Sequence, residues 1–209
     1  KIQNLTFEEV IQLRNKEAES ALSSVNAQIH HIDVDNLTIN LELQHIEKLS
    51  KYIERLKPDV ILLPWFLDGP VKHRLTNHML LFANQLVKIN TKIEVWAYQV
   101  HNSIIPSGYI DISMNIDSKV DMIKEYHSQN TNFQSYDHLT KGMNAWNSRF
   151  ISKNKQEVPI KYVELYFTLP CQSYISLVQK IYNKSFLKVY KGNKRILSAV
   201  NKITSVLNE

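Results

Sequence analysis

The sequence contains little of what secreted, membrane-spanning or phosphate-binding proteins need. Its 209 residues include a single cysteine, Cys171, which excludes a disulfide framework and favours a cytoplasmic location over a secreted one. Four glycines scarcely suffice for a phosphate-cradling loop, and the Gly-x-Ser-x-Gly elbow of serine hydrolases is absent. No apolar run reaches the roughly 18 residues of a membrane helix, and no signal peptide precedes the first helix. We therefore expect a globular protein without a transmembrane segment.

Basic residues exceed acidic ones, which gives a formal net charge of +5 and an isoelectric point near 9.1. Much of the excess lies after Lys141. A nucleic-acid interface would interleave basic residues with exposed aromatic residues in a recognisable motif, and the sequence has none. We therefore predict no nucleic-acid partner. A solvated basic face is the simplest interpretation of the charge, and attraction to an anionic membrane surface or a glycolipid is the alternative.

Apolar periodicity predicts alternating helices and strands. The capping box of Thr6 and Glu9 opens the first helix, and the apolar run Asp59–Phe66 is typical of a parallel strand covered on both faces. The alternation predicts a three-layer, Rossmann-like α/β fold with a largely parallel sheet, a domain over residues 1–183 and a basic helical tail over 184–209. Helices are predicted near 7–22, 40–57, 71–87, 118–126, 136–150 and 171–182, and strands near 28–34, 59–66, 92–100 and 161–167.

The segment that follows Phe66 is the first candidate for a functional site. In open α/β sheets, ligands bind beyond the carboxyl ends of the strands, so the strand that ends at Phe66 directs residues 67–74 towards the expected site. Asp68 and His73 are the polar candidates in that segment. From its spacing alone, His73 can be either a metal ligand or a surface residue. A surface residue is the more common case for a single histidine near a helix start.

Two further groups of polar residues allow more than one interpretation. Arg14 falls in the apolar stripe of the first helix, where a guanidinium must be paired or must line a polar cleft. A pair with Glu17 that braces the helix and a role in substrate recognition are both consistent with this position. His31, Asp33 and Asp35 would share one face of the predicted strand as possible metal ligands, although a strand that enters a loop explains them equally well.

Five segments, in order along the chain, carry a family resemblance. They are residues 13–18, 57–61, 68–73, 109–129 and 162–167. In turn they resemble the Arg-x-x-Glu-Ala helix, the Arg-Pro-Asp-Val-Val strand entry, the Asp-x-His-x-Asp-His motif, the Val-Asp-Ile-Ser … Lys … His-x-Ser-Gln stretch and the Tyr-Ala-Glu-x-Phe segment of the LmbE/PIG-L family. This family contains zinc enzymes that remove acetyl groups from N-acetylglucosaminyl substrates.

The resemblance implies roles for the candidate residues. His73 matches the histidine that binds the metal, Arg14 matches a substrate-binding arginine, and Asp68 matches the leading aspartate of the motif, which we assign as catalytic. The implied cofactor is zinc, and the implied activity is removal of an acetyl group from an N-acetylated amino sugar or glycoconjugate in glycan biosynthesis.

The sequence also departs from the family pattern. The first family motif, His-Pro-Asp-Asp, supplies metal ligands and the general base and precedes the Arg-x-x-Glu helix, so we expect it upstream of Lys1. Pro70 and Lys72 replace the first histidine and the second aspartate of Asp-x-His-x-Asp-His. A catalytic zinc usually has about three protein ligands, and the resemblance supplies only His73. We therefore predict that these residues alone neither hold zinc tightly nor deacetylate. The alternatives are a non-catalytic relative that binds a sugar or a partner protein, and a metal amidase with another acylated substrate.

Overall fold

The computed structural model describes residues 5–34, 41–130, 135–151 and 159–182. The six predicted helices are confirmed, while the strand predicted near 28–34 is wrong because these residues form no regular element. Within that segment Asp33 adopts a left-handed φ of 63°, which interrupts an extended backbone.

The helices are α1 (Phe7–Ser23), α2 (Leu43–Leu56), α3 (Val71–Leu86), α4 (Ile116–Lys124), α5 (Tyr136–Asn147), with a 3-10 turn (Ser148–Phe150) after it, and α6 (Cys171–Tyr182). The strands are β1 (Val60–Pro64), β2 (Glu94–Tyr98), β3 (Gly108–Asp111) and β4 (Val163–Pro170).

The described strands form one four-stranded sheet in the order β1-β2-β4-β3. β1 runs parallel to β2, with Val60 opposite Glu94, and β2 runs antiparallel to β4, with Tyr98 opposite Tyr166. The sheet is therefore mixed. The parallel β1–β2 pair matters most for function, because the carboxyl ends of two parallel strands lie at the same edge of a sheet.

Among the described strands, β1 lies at one edge of the sheet. The apolar run around it predicts a central strand covered on both faces, and this part of the prediction is wrong. Val60 is 37% exposed and Leu62 is 55% exposed. The two residues are two positions apart and therefore point to the same face of the sheet, so the described residues leave that face of β1 partly uncovered, while Ile61 and Leu63 on the other face are half-buried.

The chain divides into two compact units. The first unit comprises Lys1–His31 and Tyr109–Glu164, and the second comprises Ile32–Gly108 and Leu165–Glu209. In the first unit, Tyr162 packs against a cluster of buried apolar residues, which are Ile112, Ile116 and Val120. In the second unit, α2 and α3 pack through Ile46, Met79 and Ala83. The predicted tail over 184–209 lies outside the described residues. None of the described helices combines the length and the apolar character needed to cross a bilayer.

A buried amide fixes the start of α3 to the end of β1. The side-chain amide of Asn77 donates to the carbonyl oxygens of Pro64 at 3.0 Å and of His73 at 3.1 Å. The hydroxyl of Tyr174 on α6 donates to Oδ1 of Asn77 at 2.5 Å. Asn77 and Tyr174 are each 1% exposed, so these bonds are shielded from water. They hold the segment between β1 and α3 in place.

Candidate metal centre

Two histidines and one aspartate meet beyond the ends of β1 and β2. Asp68 and His73 follow β1, and His101 follows β2. One possible ligand atom from each of the three side chains lies within 4.8 Å of the other two. Within the ranges that the structure describes, no other group of at least three His, Cys, Asp or Glu side chains comes this close. The expected position at the carboxyl ends of parallel strands is therefore occupied by possible metal ligands.

The carboxylate of Asp68 connects the two segments that follow these strands. Its Oδ2 lies 2.6 Å from Nδ1 of His73. Its Oδ1 accepts hydrogen bonds from the backbone N–H groups of His101 at 3.1 Å and Asn102 at 2.8 Å. The side-chain amide of Asn102 donates in turn to the carbonyl oxygen of Leu67 at 3.0 Å. Asp68 is fully buried, so these protein groups provide its solvation.

The charge of Asp68 determines which nitrogen of His73 carries a proton. Burial alone would raise the pKa of Asp68. The pKa is nevertheless lowered, because Asp68 accepts hydrogen bonds from His73 and from the backbone of Asn102 and His101 and also interacts with the charge of His73. Asp68 is therefore ionised at neutral pH and can only accept hydrogen bonds. The proton in the 2.6 Å contact belongs to Nδ1 of His73. In the neutral form of the ring, Nε2 then carries the lone pair that a metal can use.

A buried guanidinium holds the backbone of the same segment. Nη1 of Arg74 donates to the carbonyl oxygens of Asp68 and Gly69, and Arg74 is 1% exposed. Arg74 lies in the first turns of α3, whose N-cap is Pro70. The turn that carries Asp68 is thus held both by the side chain of Arg74 and by the hydrogen bonds of its own carboxylate.

The two histidine rings suit a borderline metal ion such as zinc. Their centroids are 5.4 Å apart and their planes differ by 16°. The side chain of His73 is half-buried and His101 is exposed, so the pair opens to solvent. Imidazole nitrogen is a preferred zinc ligand, and a carboxylate hydrogen-bonded to the second ring nitrogen commonly accompanies it. The donor set therefore fits the zinc that the family resemblance implies.

The sequence named Asp68 and His73 as candidates, which the structure brings together, and did not name His101. His101 stands after β2 as Asp68 stands after β1, so the rule for strand ends would have identified it. The structure does not assemble the other cluster considered from the sequence. His31 is exposed, Asp33 pairs with Lys48 at 2.5 Å, and Asp35 lies outside the described residues.

Arg14 is half-buried on α1, in the first unit. The brace between Arg14 and Glu17 is not among the ion pairs between described side chains. Glu17, which is 5% exposed, instead accepts hydrogen bonds from the backbone N–H and the hydroxyl of Ser128, both at 2.6 Å. The carboxylate that would have paired with Arg14 is thus already bound, and a role for Arg14 in substrate binding stays a prediction.

Other residues of the resembling segments also contact one another within the first unit. Lys119 donates to Oδ1 of Asn144 at 3.0 Å and forms an ion pair with Glu164. The amide of the buried Asn144 donates to the carbonyl oxygen of Val163 at 2.8 Å. These contacts give the Lys and Glu positions of the late segments a structural role.

We expect Ser128→Ala to lower the free energy of unfolding by about 1.5–3 kcal/mol, since the buried carboxylate of Glu17 loses a hydrogen bond. Ser20→Ala is the matched control, because the Ser20 hydroxyl donates to Glu125 at the same 2.6 Å but on the exposed surface. Its loss should stay within about 0.5 kcal/mol. Urea denaturation measures both values. Equal losses in the two variants would contradict the importance of burial.

The fold is similar to those of two solved structures. GalB, the 4-carboxy-2-hydroxymuconate hydratase from Pseudomonas putida, matches with a TM-score of 0.66 and 19% identity over 80% of this chain and 75% of that chain. The conserved protein TT1542 from Thermus thermophilus matches with a TM-score of 0.58 and 18% identity over 76% and 74% of the two chains. No protein-family model matches the chain, and no curated protein matches its sequence. At these identities the likeness shows the fold, and it confirms the predicted α/β fold of LmbE type.

Proposed function

We propose that the chain is a zinc-dependent hydrolase that removes the acetyl group from an N-acetylated amino sugar or glycoconjugate. The observation that carries the proposal is the group of Asp68, His73 and His101 beyond two parallel strands of an LmbE-like fold. His73 is the residue that the resemblance matches to a metal ligand, and Nδ1 is the nitrogen that faces Asp68. The single cysteine is consistent with activity in the cytoplasm, and glycan biosynthesis is the expected context.

In this proposal the residues around the metal have separate tasks. Zinc, when bound, would polarise the amide carbonyl and lower the pKa of a bound water from about 16 towards ~7. His73 would be one of its ligands, as the resemblance implies, within the group that it forms with Asp68 and His101. Arg14 would bind the sugar through its charged guanidinium. A catalytic zinc commonly has about three protein ligands, and the expected upstream motif would supply the remainder together with the general base.

The second candidate function is a non-catalytic relative that binds a sugar or a partner protein. Pro70 and Lys72 favour it, because they stand where the family has a histidine and an acid, and Lys72 is exposed to solvent. The fold is compatible with both functions, since proteins that share one fold can have many different activities. The similar structure GalB is a hydratase rather than an amide hydrolase.

Release of free amine from a panel of N-acetylated amino sugars, with added zinc, tests the proposal. The assay uses the 209-residue chain and a longer product that includes any residues encoded directly before Lys1. We expect zinc-dependent amine release from the longer product, with loss in the presence of a chelator. Sugar binding without amine release from either form would favour the non-catalytic function. Neither binding nor release would contradict both.

We expect Arg14→Ala to weaken amino-sugar binding by about 1.5–3 kcal/mol, the range for a hydrogen bond to a charged group. Its melting temperature should change little, because Glu17 is already bound by Ser128. Titration calorimetry and thermal denaturation give the two values. Lys16→Ala, which removes an exposed cation from the same helix, is the control. A large drop in melting temperature with unchanged binding would show that Arg14 has only a structural role.

A further inference from the structure

The hydrogen bonds of Asp68 leave it little capacity for chemistry of its own. Its side chain is fully buried, and three donors already approach its two oxygens: Nδ1 of His73 and the backbone N–H groups of His101 and Asn102. A general base must reach the water that it activates, and a directly bound carboxylate must turn an oxygen towards the ion. Three of the roughly four acceptor positions of the carboxylate are in use, and the side chain has no exposed surface through which to reach a water.

We propose that Asp68 is a positioning residue, and that it presents His73 and His101 together as the ligands of one zinc-class ion. The inference rests on the proposed function for the presence of a metal. It goes further in naming His101 as a ligand and in moving Asp68 from the catalytic role implied by the resemblance to a positioning role.

Asp68 acts on His73 through the ring. Two backbone N–H groups already donate to Oδ1, and Oδ2 lies 2.6 Å from Nδ1, so the carboxylate faces the ring as a hydrogen-bond acceptor and the proton of the neutral imidazole belongs on Nδ1. Nε2 of His73 then stays unprotonated and points away from Asp68. Such carboxylate–histidine pairs fix both the tautomer and the orientation of metal-binding histidines.

Asp68 acts on His101 through the backbone. The two consecutive N–H groups of His101 and Asn102 both donate to Oδ1, which fixes the turn after β2 against the turn after β1. Two nitrogens that share a tetrahedral zinc at ~2.05 Å lie about 3.3 Å apart. One oxygen of Asp68 and one nitrogen from each of the two rings lie within 4.8 Å of one another here. We expect the exposed ring of His101 to adjust when a metal binds, rather than the ring of His73, whose Nδ1 contacts Asp68.

The donor set also defines the class of ion. Imidazole pairs favour zinc, cobalt, nickel and copper, whereas magnesium and calcium prefer oxygen ligands. Zinc and cobalt are therefore the probes, and magnesium is the negative control. Cobalt adds a visible spectrum that reports ligand geometry.

Nitrogen-15 NMR of the metal-free protein tests the tautomer directly. In the unmodified chain we expect the proton of the neutral His73 ring on Nδ1. Asp68→Asn keeps an acceptor for the two backbone N–H groups but offers an N–H to Nδ1, so the proton should move to Nε2. A proton on Nε2 in the unmodified chain overturns the inference without any variant, which matters if Asp68→Asn does not fold.

Zinc and cobalt affinities, from competition with an indicator chelator, test the consequence. We expect Asp68→Asn to bind both ions 10–100-fold more weakly, roughly the effect of losing such an outer-sphere partner. His101→Ala should weaken binding further, and magnesium should not compete. Asp59→Asn, which changes an exposed carboxylate directly before β1, is the matched control and should bind normally.

The outcomes separate this inference from the proposed function. If the unmodified chain binds zinc and Asp68→Asn binds it equally well with the same His73 tautomer, the positioning role is wrong while the metal-dependent function stands. If His101→Ala binds zinc normally, His101 is not a ligand. If neither the 209-residue chain nor the longer product binds zinc, both the inference and the proposed metal-dependent function are wrong.

Discussion

His73→Ala is expected to weaken zinc binding by more than about 100-fold, a larger loss than replacement of an outer-sphere partner causes. Only the imidazole of His101 would remain of the described histidine pair. A ligand that binds the folded chain at 100 times its Kd stabilises it by about 2.7 kcal/mol. Thermal denaturation at matched zinc concentrations should therefore show a zinc-dependent shift in the unmodified chain and almost none in His73→Ala. Any zinc-dependent amine release should disappear with it.

The control for this variant is His127→Ala, which removes an exposed histidine from one of the resembling segments in the first unit. It should keep both the zinc-dependent thermal shift and any amine release. Stoichiometric zinc retained by His73→Ala would show that other residues bind the metal. The sequence alone predicts that zinc binds weakly, because the family resemblance supplies only one ligand. With His101 as a second ligand, the expected zinc affinity is higher than that of a single histidine.

Asn77→Ala is expected to lower the free energy of unfolding by about 3–5 kcal/mol, since each buried polar group left without a partner costs about 1–3 kcal/mol. The variant removes the donor to the carbonyl oxygens of Pro64 and His73, and the acceptor for the Tyr174 hydroxyl. Burial raises the pKa of Tyr174, so its hydroxyl stays protonated and needs that acceptor. Urea denaturation measures the loss.

Tyr174→Phe is the matched control because it removes one of these hydrogen bonds and keeps the ring. Its cost should be about 1–2 kcal/mol. The loss measured for the double variant should be smaller than the sum of the losses of the two single variants, because the two side chains share one hydrogen bond. A loss below about 1 kcal/mol for Asn77→Ala would contradict this account of how the β1–α3 segment is held.

The elements with strong periodicity could be predicted from the sequence. The capping box of Thr6 and Glu9 forms at the start of α1, and α3 begins at Val71, where the sequence predicts it. The position of Asp68 and His73 followed from the rule that sites lie beyond strand ends. These features depend on local sequence, which is why a single chain reveals them.

The features that were missed depend on contacts between distant parts of the chain. His101 joins the site through a bond to Asp68 across 33 positions, and Glu17 is bound by Ser128 across 111 positions. An apolar run indicates burial but does not show whether other elements cover both faces of the strand, so the exposure of Val60 and Leu62 on one face of β1 was not predictable. The false strand near 28–34 shows the same limit, since Asp33 adopts a left-handed conformation there.

The turn between β1 and α3 separates the residues that maintain the fold from those that would perform chemistry. Arg74 binds two carbonyl oxygens of this turn, and Asn77 binds one carbonyl oxygen on each side of it. Lys72, by contrast, is exposed, and the backbone at position 70 has a φ of −64°, the value that a proline ring adopts. Mutations at positions 70 and 72 can therefore accumulate during evolution with little effect on folding. Natural selection can remove or restore a reaction at this edge of the sheet while the scaffold persists, and stability alone would not distinguish an active enzyme from a descendant that only binds.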